Sequence, residues 1–311
     1  MPIRITYCFS SVDTPAIGIS PHEGILACLL RYTIVMGIPR RKLGSTGIDV
    51  TITGLGGEGV LRTFGQDKDA YQLINRALDL GIIYFESARA YSGSESYYGL
   101  ALKERRKEIF LTSKSHARDR NGALDHLHET LRNMKTDWLD LWQVHDVRTD
   151  GEIEEIFGKS GAIEAFMEAK QKGLVRFIGV TGHHDPLILR RCIELFPFDT
   201  VLMPVNPAEP HHNSFIDQVM PLAVARGMGI VAMKVYFHGA AAMIAPDNLD
   251  LFFRYALSHP VSTAVIGCDT IEQLEENIRF ASEFSALTKD EQQMLSQQLT
   301  SIARRLMYYK P

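Results

Sequence analysis

Four residues in the first half of the chain carry side chains that together could move a proton: Glu86, Tyr91, Lys114 and His145. Glu86 closes the apolar run Ile82 to Phe85, and Tyr91 follows in a Ser/Gly-rich loop. Lys114 lies just past Leu111-Thr-Ser, and His145 ends Leu141-Trp-Gln-Val. A free phenol has a pKa of about 10, too high to protonate a developing alkoxide efficiently near neutrality. An ammonium such as Lys114 favours the phenolate and lowers that pKa, a carboxylate such as Glu86 holds the lysine charged, and His145 can donate to a substrate oxygen. Singly, each has a plain explanation: a packed loop tyrosine, a solvated lysine, a surface ion pair, a satisfied core histidine. Jointly, with no metal ligands among them, they suit proton-coupled reduction of a carbonyl.

The elements that must position these groups are legible as alternating apolar runs and amphipathic stripes. Short runs at Thr51 to Leu55, Ile82 to Phe85, Ile109 to Thr112, Leu139 to Val144, Val175 to Val180, Thr200 to Met203, Ile230 to Met233 and Thr263 to Ile266 lack strict alternation, as strands covered on both faces require. Between them, Asp67 caps a helix with Ala70, Leu73, Ile74 and Ala77 on one face, and Gly81 ends it. Ser94 caps the next, which runs to about Glu104, and Leu124, Leu127, Leu131 and Met134 stripe the third. Ile163, Phe166 and Met167 stripe a helix ended by Gly173, and Asp185-Pro186 starts another. Ile216, Val219, Met220 and Ala223 precede Gly227, a further helix begins near Asn248, and Thr270-Ile-Glu-Gln273 forms a capping box. This alternation predicts a parallel sheet closed into a (β/α)8 TIM barrel, with an N-terminal β-hairpin turning at Ser45 to Gly47 and a C-terminal helix within Lys289 to Tyr309. In such barrels ligands gather at the C-terminal ends of the strands, where all four residues fall.

The net charge of -4 carries no electrostatic footprint for nucleic acid or an anionic membrane, and the chain offers no apolar run long enough to span a bilayer. Cys8, Cys28, Cys192 and Cys268 are scattered without a Cys-x-x-Cys pair, which suits a reducing cytoplasm rather than a disulfide framework or a zinc site. Residues 1–35 lack the barrel pattern and are expected to be a leader outside the fold, with residues 36–311 forming the barrel. Gly54-Leu-Gly-Gly-Glu-Gly59 satisfies Gly-x-Gly-x-x-Gly, but a Rossmann fingerprint opens a helix directly and here Val60 to Gln66 intervenes. The histidine pairs His183-His184, His211-His212 and His126-x-His128 have spacings that do not share a face, so a metal centre is not expected.

From about Gly37 onward the chain resembles the aldo-keto reductases. That family carries an Asp-x-Ala-x-x-Tyr-Gly-x-Ser-Glu type segment, a strand-end lysine and a strand-end histidine. The matching positions are Glu86, Tyr91, Lys114 and His145, with Ser94-Glu95 at the end of the motif and glutamate standing in place of the aspartate. The resemblance implies reduction of an aldehyde or ketone by hydride transfer from a nicotinamide cofactor, with Tyr91 as general acid. It implies a cofactor lying across the barrel mouth, contacted by Gly57 and Lys234, with Thr181 and Asn206 toward the nicotinamide. Gly267, Asp269, Thr270, Gln273, Glu276 and Asn277 would meet the adenosine half. Leu202 and Val205 stand where a carboxamide-binding glutamine and a stacking tyrosine are often found. NADP(H) is the expected cofactor, and Asp269, placed where a basic residue often meets the 2'-phosphate, keeps NAD(H) open. A small carbonyl compound is the expected partner. The competing reading is a catalytically weak or inactive nicotinamide-binding barrel that acts as a redox-sensing or regulatory subunit.

Overall fold

The computed structural model describes residues 37–311, so the expectation for residues 1–35 lies outside the described part. Strands β1 (Arg40–Lys42) and β2 (Asp49–Thr51) form the antiparallel hairpin, turning through Gly44–Thr46. Eight parallel strands then close into a barrel: β3 (Thr53–Gly59), β4 (Tyr84–Glu86), β5 (Phe110–Ser115), β6 (Leu139–Val144), β7 (Val175–Thr181), β8 (Thr200–Pro204), β9 (Gly229–Met233) and β10 (Thr263–Cys268). Each pairs with its successor, and β10 pairs back onto β3, so no barrel edge is left open. The barrel, the hairpin and the alternation are those the sequence predicts.

Inward-facing Tyr84, Phe110, Leu141, Leu202, Val231 and Val265 fill the lower half of the barrel, and Leu43 and Val50 of the hairpin join the same apolar cluster. The hairpin is thus a plug at one end, which leaves the opposite, C-terminal end of the strands for chemistry. The larger apolar cluster lies between strands and helices. Helix α1 (Asp67–Asp79) buries Ala70, Leu73, Ile74 and Ala77 there, and α2 (Ser94–Ala101) and α3 (Arg120–Met134) pack beside it. Helices α4 (Asp150–Phe157), α5 (Ala162–Gln171) and α6 (Pro186–Leu195) continue the outer ring, with Asp185 capping α6 and Pro186 in its first turn as expected.

Several local expectations change. Gln66, not Asp67, precedes α1, and no side chain caps that helix. Gly93 in a left-handed conformation, not Ser94, occupies the N-cap of α2, while the Ser94 hydroxyl accepts from Ser87 at 2.8 Å. Met167 on α5 is 47% exposed, so that stripe is narrower than read. The helix expected from Ile216 to Ala223 is split into α7 (Phe215–Gln218) and α8 (Met220–Ala225), because Pro221 cannot supply a backbone donor in mid-helix. Helix α9 (Ala241–Ile244), α10 (Leu249–Leu257) and α11 (Ile271–Ser282) flank the last strands. The C-terminal helix is also two pieces, α12 (Lys289–Gln298) with a capping box at Thr288, and α13 (Ala303–Leu306). No helix of the described residues is long and apolar enough to cross a membrane.

Candidate active site

Glu86, Lys114 and His145 stand at or just past the C-terminal ends of β4, β5 and β6, and the loop between β4 and α2 carries Tyr91 over them. The register places Glu86 beside Thr112 and Lys114 beside Gln143, so the charged residues of neighbouring strands converge inside the barrel rim. Both Glu86 and Lys114 are buried, and the Lys114 ammonium is ion-paired with Glu86 Oε1. A second donor of Lys114 meets the Ser87 carbonyl at 2.9 Å, and Nζ lies 3.5 Å from the Tyr91 hydroxyl. His145 meets Tyr91 edge-on, with ring centroids 5.9 Å apart. The four side chains picked out in the sequence therefore meet in one place.

The glutamate in place of aspartate acquires a physical account here. Its extra methylene lets one carboxylate bridge two partners, Lys114 through Oε1 and the Gly57 amide, which donates to Oε2 at 3.0 Å. Gly57 is also where the first barrel strand passes closest to Tyr91. A Cβ on Gly57 would fall 2.6 Å from the Tyr91 ring, so only glycine leaves the phenol its position. Arg62, just after β3, sits over that ring, 5.0 Å from its centre, and pairs with Glu58 at 2.7 Å.

The electrostatics differ from the simple expectation that Lys114 lowers the phenol. Burial pushes the Tyr91 hydroxyl above its ordinary value, Glu58 and Asp146 add to that shift, and Arg62 opposes it. Desolvation prevails, and the phenol is held protonated at neutral pH, as a proton donor must be. Burial also pulls the Lys114 ammonium well below its usual range, the Glu58 carboxylate pulls the other way, and Arg62 adds to the lowering. Burial, and next the nearby Lys114 charge, push His145 well below its usual value. His145 is therefore a neutral imidazole that can donate from one nitrogen without carrying charge.

A cleft of about 310 Å³ runs from Glu86 and Tyr91 at one end to Asp269, Gln273, Glu276 and Asn277 at the other. Its floor is apolar, from Met233, Val265 and Ile266. Glycine at 267 is required by close packing, because a Cβ there would sit 2.6 Å from Glu58 Cβ. An elongated groove with a reactive cluster at one end and a helix start at the other fits an extended dinucleotide.

The residues expected at the cofactor sort into two groups. Lys234, Gly267, Asp269, Gln273, Glu276 and Asn277 line the cleft. Gly57, Thr181, Asn206 and Thr270 have other visible engagements. Thr181 Oγ1 accepts from the Asp146 amide at 2.8 Å, and Thr270 Oγ1 caps α11 by accepting from the Gln273 amide. Asn206 is fully buried; it donates to Tyr309 Oη and the Lys234 carbonyl and accepts from the Ala208 amide. The Gln273 side chain reaches the Asp269 amide at 2.7 Å rather than the Thr270 amide a capping box would use.

The sequence reading missed Glu58 and Arg62, which lay inside or beside the glycine run weighed as a Rossmann turn. It also missed the pairing of His183 with Asp146, 3.4 Å apart at the mouth next to His145. The histidine pair itself was the available signal. Its meaning depended on a partner 37 residues earlier, which no local pattern announces.

Comparison with known proteins gives the family and the fold of the chain. The family model described as "Aldo/keto reductase family" matches residues 53–243. A curated relative, the uncharacterized oxidoreductase YqkF of Bacillus subtilis, is 26% identical over 298 residues, covering 81% of this chain and 94% of the relative. L-galactose dehydrogenase of Arabidopsis thaliana is 24% identical, covering 82% and 92% respectively. Among solved structures, the holo form of aldo-keto reductase AKR11C1 from Bacillus halodurans superposes with a TM-score of 0.70 at 23% identity, covering 84% of this chain and 96% of that one. An aldo-keto reductase from Klebsiella pneumoniae in complex with NADPH superposes with a TM-score of 0.68 at 18% identity, with the same coverages. With the match extending from the first barrel strand into α9, after the seventh, the chain belongs to the aldo/keto reductase family, oxidoreductases that in general reduce carbonyls with NAD(P)H.

Proposed function

We propose that this protein reduces an aldehyde or ketone to an alcohol, with Tyr91 as the general acid, Lys114 and Glu86 setting its charge environment, and His145 orienting the carbonyl. The observation that carries this reading is the Lys114 ammonium, bonded to Glu86 and 3.5 Å from a Tyr91 hydroxyl that faces the cleft. A nicotinamide cofactor bound in that cleft would supply the hydride. The chain's own part is to hold a protonated phenol at the substrate oxygen, keep a neutral His145 beside it, and exclude water from the rim. Developing negative charge on the oxygen strengthens its bond to Tyr91, and the nearby Lys114 charge stabilises the phenolate left after transfer.

The cofactor's adenosine half is assigned to Gly267, Asp269, Gln273, Glu276 and Asn277. Asn277 supports this by position, since its side chain accepts from Tyr236 Oη at 3.0 Å and so ties the loop after β9 to the middle of α11. Asp269 carries a negative charge at that end, which favours NAD(H) over NADP(H) relative to a basic residue there.

The test is direct. NADPH and NADH are each mixed with the protein and a panel of aldehydes, and cofactor absorbance is followed for the parent and for Tyr91→Phe. Turnover that collapses in the variant is the expected result. Cofactor binding seen by fluorescence, with no turnover of any aldehyde, would instead favour a regulatory nicotinamide-binding barrel.

A further inference from the structure

His145 is held in place differently from the groups around it. Lys114 is fixed through its own ammonium, by Glu86 and the Ser87 carbonyl, and Tyr91 by close packing against Gly57. Among the described residues the His145 ring has no hydrogen-bond partner, and its recorded contact is the edge-on approach to Tyr91. A histidine that donates to a substrate is commonly oriented by a bond to its other ring nitrogen. Without one, the direction of the ring depends on how rigidly the main chain beneath it is held.

That main chain is strained. Asp146, directly after His145, has a φ of +52°, in the left-handed region that residues other than glycine seldom adopt. Such a conformation persists only where its neighbours over-determine it. The amides of the segment are taken up by β5 and β7: His145 donates to the Ser115 carbonyl at 2.9 Å, Asp146 to Thr181 Oγ1 at 2.8 Å, and Val147 to the Thr181 carbonyl at 3.1 Å. The carbonyls are held by Arg118. Its Nη1 donates to the His145 carbonyl at 2.9 Å and its Nη2 to the Asp146 carbonyl at 3.0 Å.

Arg118 is itself fixed at both ends. Nη2 also donates to Glu152 Oε1 at 3.0 Å, and the other oxygen of Glu152 closes the capping box that starts α4. The Arg118 carbonyl accepts from the Ala162 amide at 2.7 Å, at the start of α5. A planar guanidinium fork can reach two successive carbonyls at once, which the compact ammonium of a lysine does not reproduce. Arg106 makes the corresponding clamp at the opposite end of the same two strands. It donates to the Ile109 and Trp138 carbonyls, just ahead of β5 and β6, and pairs with Asp140 at 2.9 Å. Two arginines thus tie one strand pair, and only Arg118 does so beneath a reacting side chain.

We propose that Arg118 is a positioning residue for carbonyl reduction: by clamping the His145 and Asp146 carbonyls it fixes the direction in which the His145 ring meets the substrate oxygen. This rests on the reductase reading above, in which His145 orients the carbonyl, and adds the residue that orients His145.

Arg118→Met and the milder Arg118→Lys are compared with Arg106→Lys, which loosens the same strands at the end away from the chemistry. In single-turnover reduction of the aldehyde panel at saturating cofactor, Arg118→Met is expected to slow the chemical step by about tenfold to a hundredfold, and Arg118→Lys by less. Arg106→Lys is expected to lower the melting temperature at least as much as Arg118→Lys and to keep the parent rate. The second reading needs no turnover. In protein carrying isotope-labelled histidine, the imidazole resonance of His145 is identified by its loss in His145→Gln. It is expected as one sharp signal in the parent and in Arg106→Lys, and as a shifted or doubled one in both Arg118 variants. The proposal is overturned if the Arg118 variants keep the parent signal, if they keep the parent rate, or if Arg106→Lys changes both as much, which would make Arg118 a general brace. Should Arg118→Met not fold, Arg118→Lys carries both readings. Should the parent reduce no aldehyde, the reductase reading fails, and the His145 resonance alone decides whether Arg118 sets the ring.

Discussion

Two buried glutamate-lysine pairs sit near the rim of this barrel, and they differ in what is left over. Glu209 and Lys310 are fully shielded, with 0% of either side chain exposed, and every group is matched. Glu209 accepts from Lys310, Tyr309 Oη and the Phe215 amide, while Lys310 also donates to the His212 and Asn213 carbonyls. Glu86 and Lys114 make the same kind of pair, but the third direction of the lysine points to a tyrosine hydroxyl 3.5 Å away, on the wall of an open cleft. A saturated pair can only hold structure together. A pair with one direction free, facing a cleft and a titratable hydroxyl, can also bias a proton.

The comparison is broken most severely at Tyr91. Tyr91→Phe keeps the ring packing against Gly57 and Arg62 but removes the donor, and should lower kcat for carbonyl reduction by roughly 10²- to 10⁴-fold with cofactor affinity and melting temperature held. Single-turnover kinetics with the most reactive aldehyde reads this. Rates equal to the parent would remove Tyr91 from the chemistry.

Lys310→Met makes the complementary break. It strands the buried Glu209 carboxylate, with an expected loss of about 3–5 kcal/mol in unfolding free energy. Urea denaturation measures the loss, and a drop below about 1 kcal/mol would mean that the pair is not the structural clamp described here.

A smaller effect sharpens the contrast at Glu86. Glu86→Gln keeps the reach to both Gly57 and Lys114 but loses the charge, and should slow reduction by roughly 10- to 100-fold, consistent with the ~1.5–3 kcal/mol of a charged hydrogen bond. Glu86→Asp keeps the charge but cannot span both partners, so it should cost roughly 1 kcal/mol of stability through the Gly57 amide while retaining more activity than the glutamine variant. The reverse order of activities would show that reach, not charge, matters at this position.

The histidines at the mouth make stability depend on pH. Burial lowers His145 well below its ordinary range and His183 to about 4. Both stay neutral in the fold while the unfolded chain takes up protons below about pH 6.5, so this contribution is fully present above that value and is lost as pH falls toward 4. The melting temperature should decline through that window, and His183→Gln should flatten the decline. An identical slope in the variant would place the acid sensitivity elsewhere.

The smallest predicted effect lies at the far end of the cleft, where exposed charge is screened. Asp269→Arg should shift preference toward NADPH by a few fold, on the scale of an exposed ion pair of about 0.2–1 kcal/mol. Unchanged dissociation constants for both cofactors would remove Asp269 from the 2'-phosphate's surroundings.

The sequence by itself determined the barrel and the gathering of Glu86, Tyr91, Lys114 and His145 at one end of it. Apolar runs, helical stripes, Asp185-Pro186 and Gly81 are local signals, and helix-strand alternation leaves few topologies open. Because barrel strands present their C-terminal ends to one face, residues as far apart as Glu86 and His145 could be placed together without coordinates. Tertiary structure decided what each polar group is for. Asn206 looks like a ligand residue in sequence, yet its partner Tyr309 lies 103 positions away. Gly57 reads as room for a cofactor, and packing makes it room for Tyr91 and a donor to Glu86. The phenol's acidity was misjudged for the same reason: the sign of its shift is set by burial, which is a sum over the whole fold and is written in no single stretch of the chain.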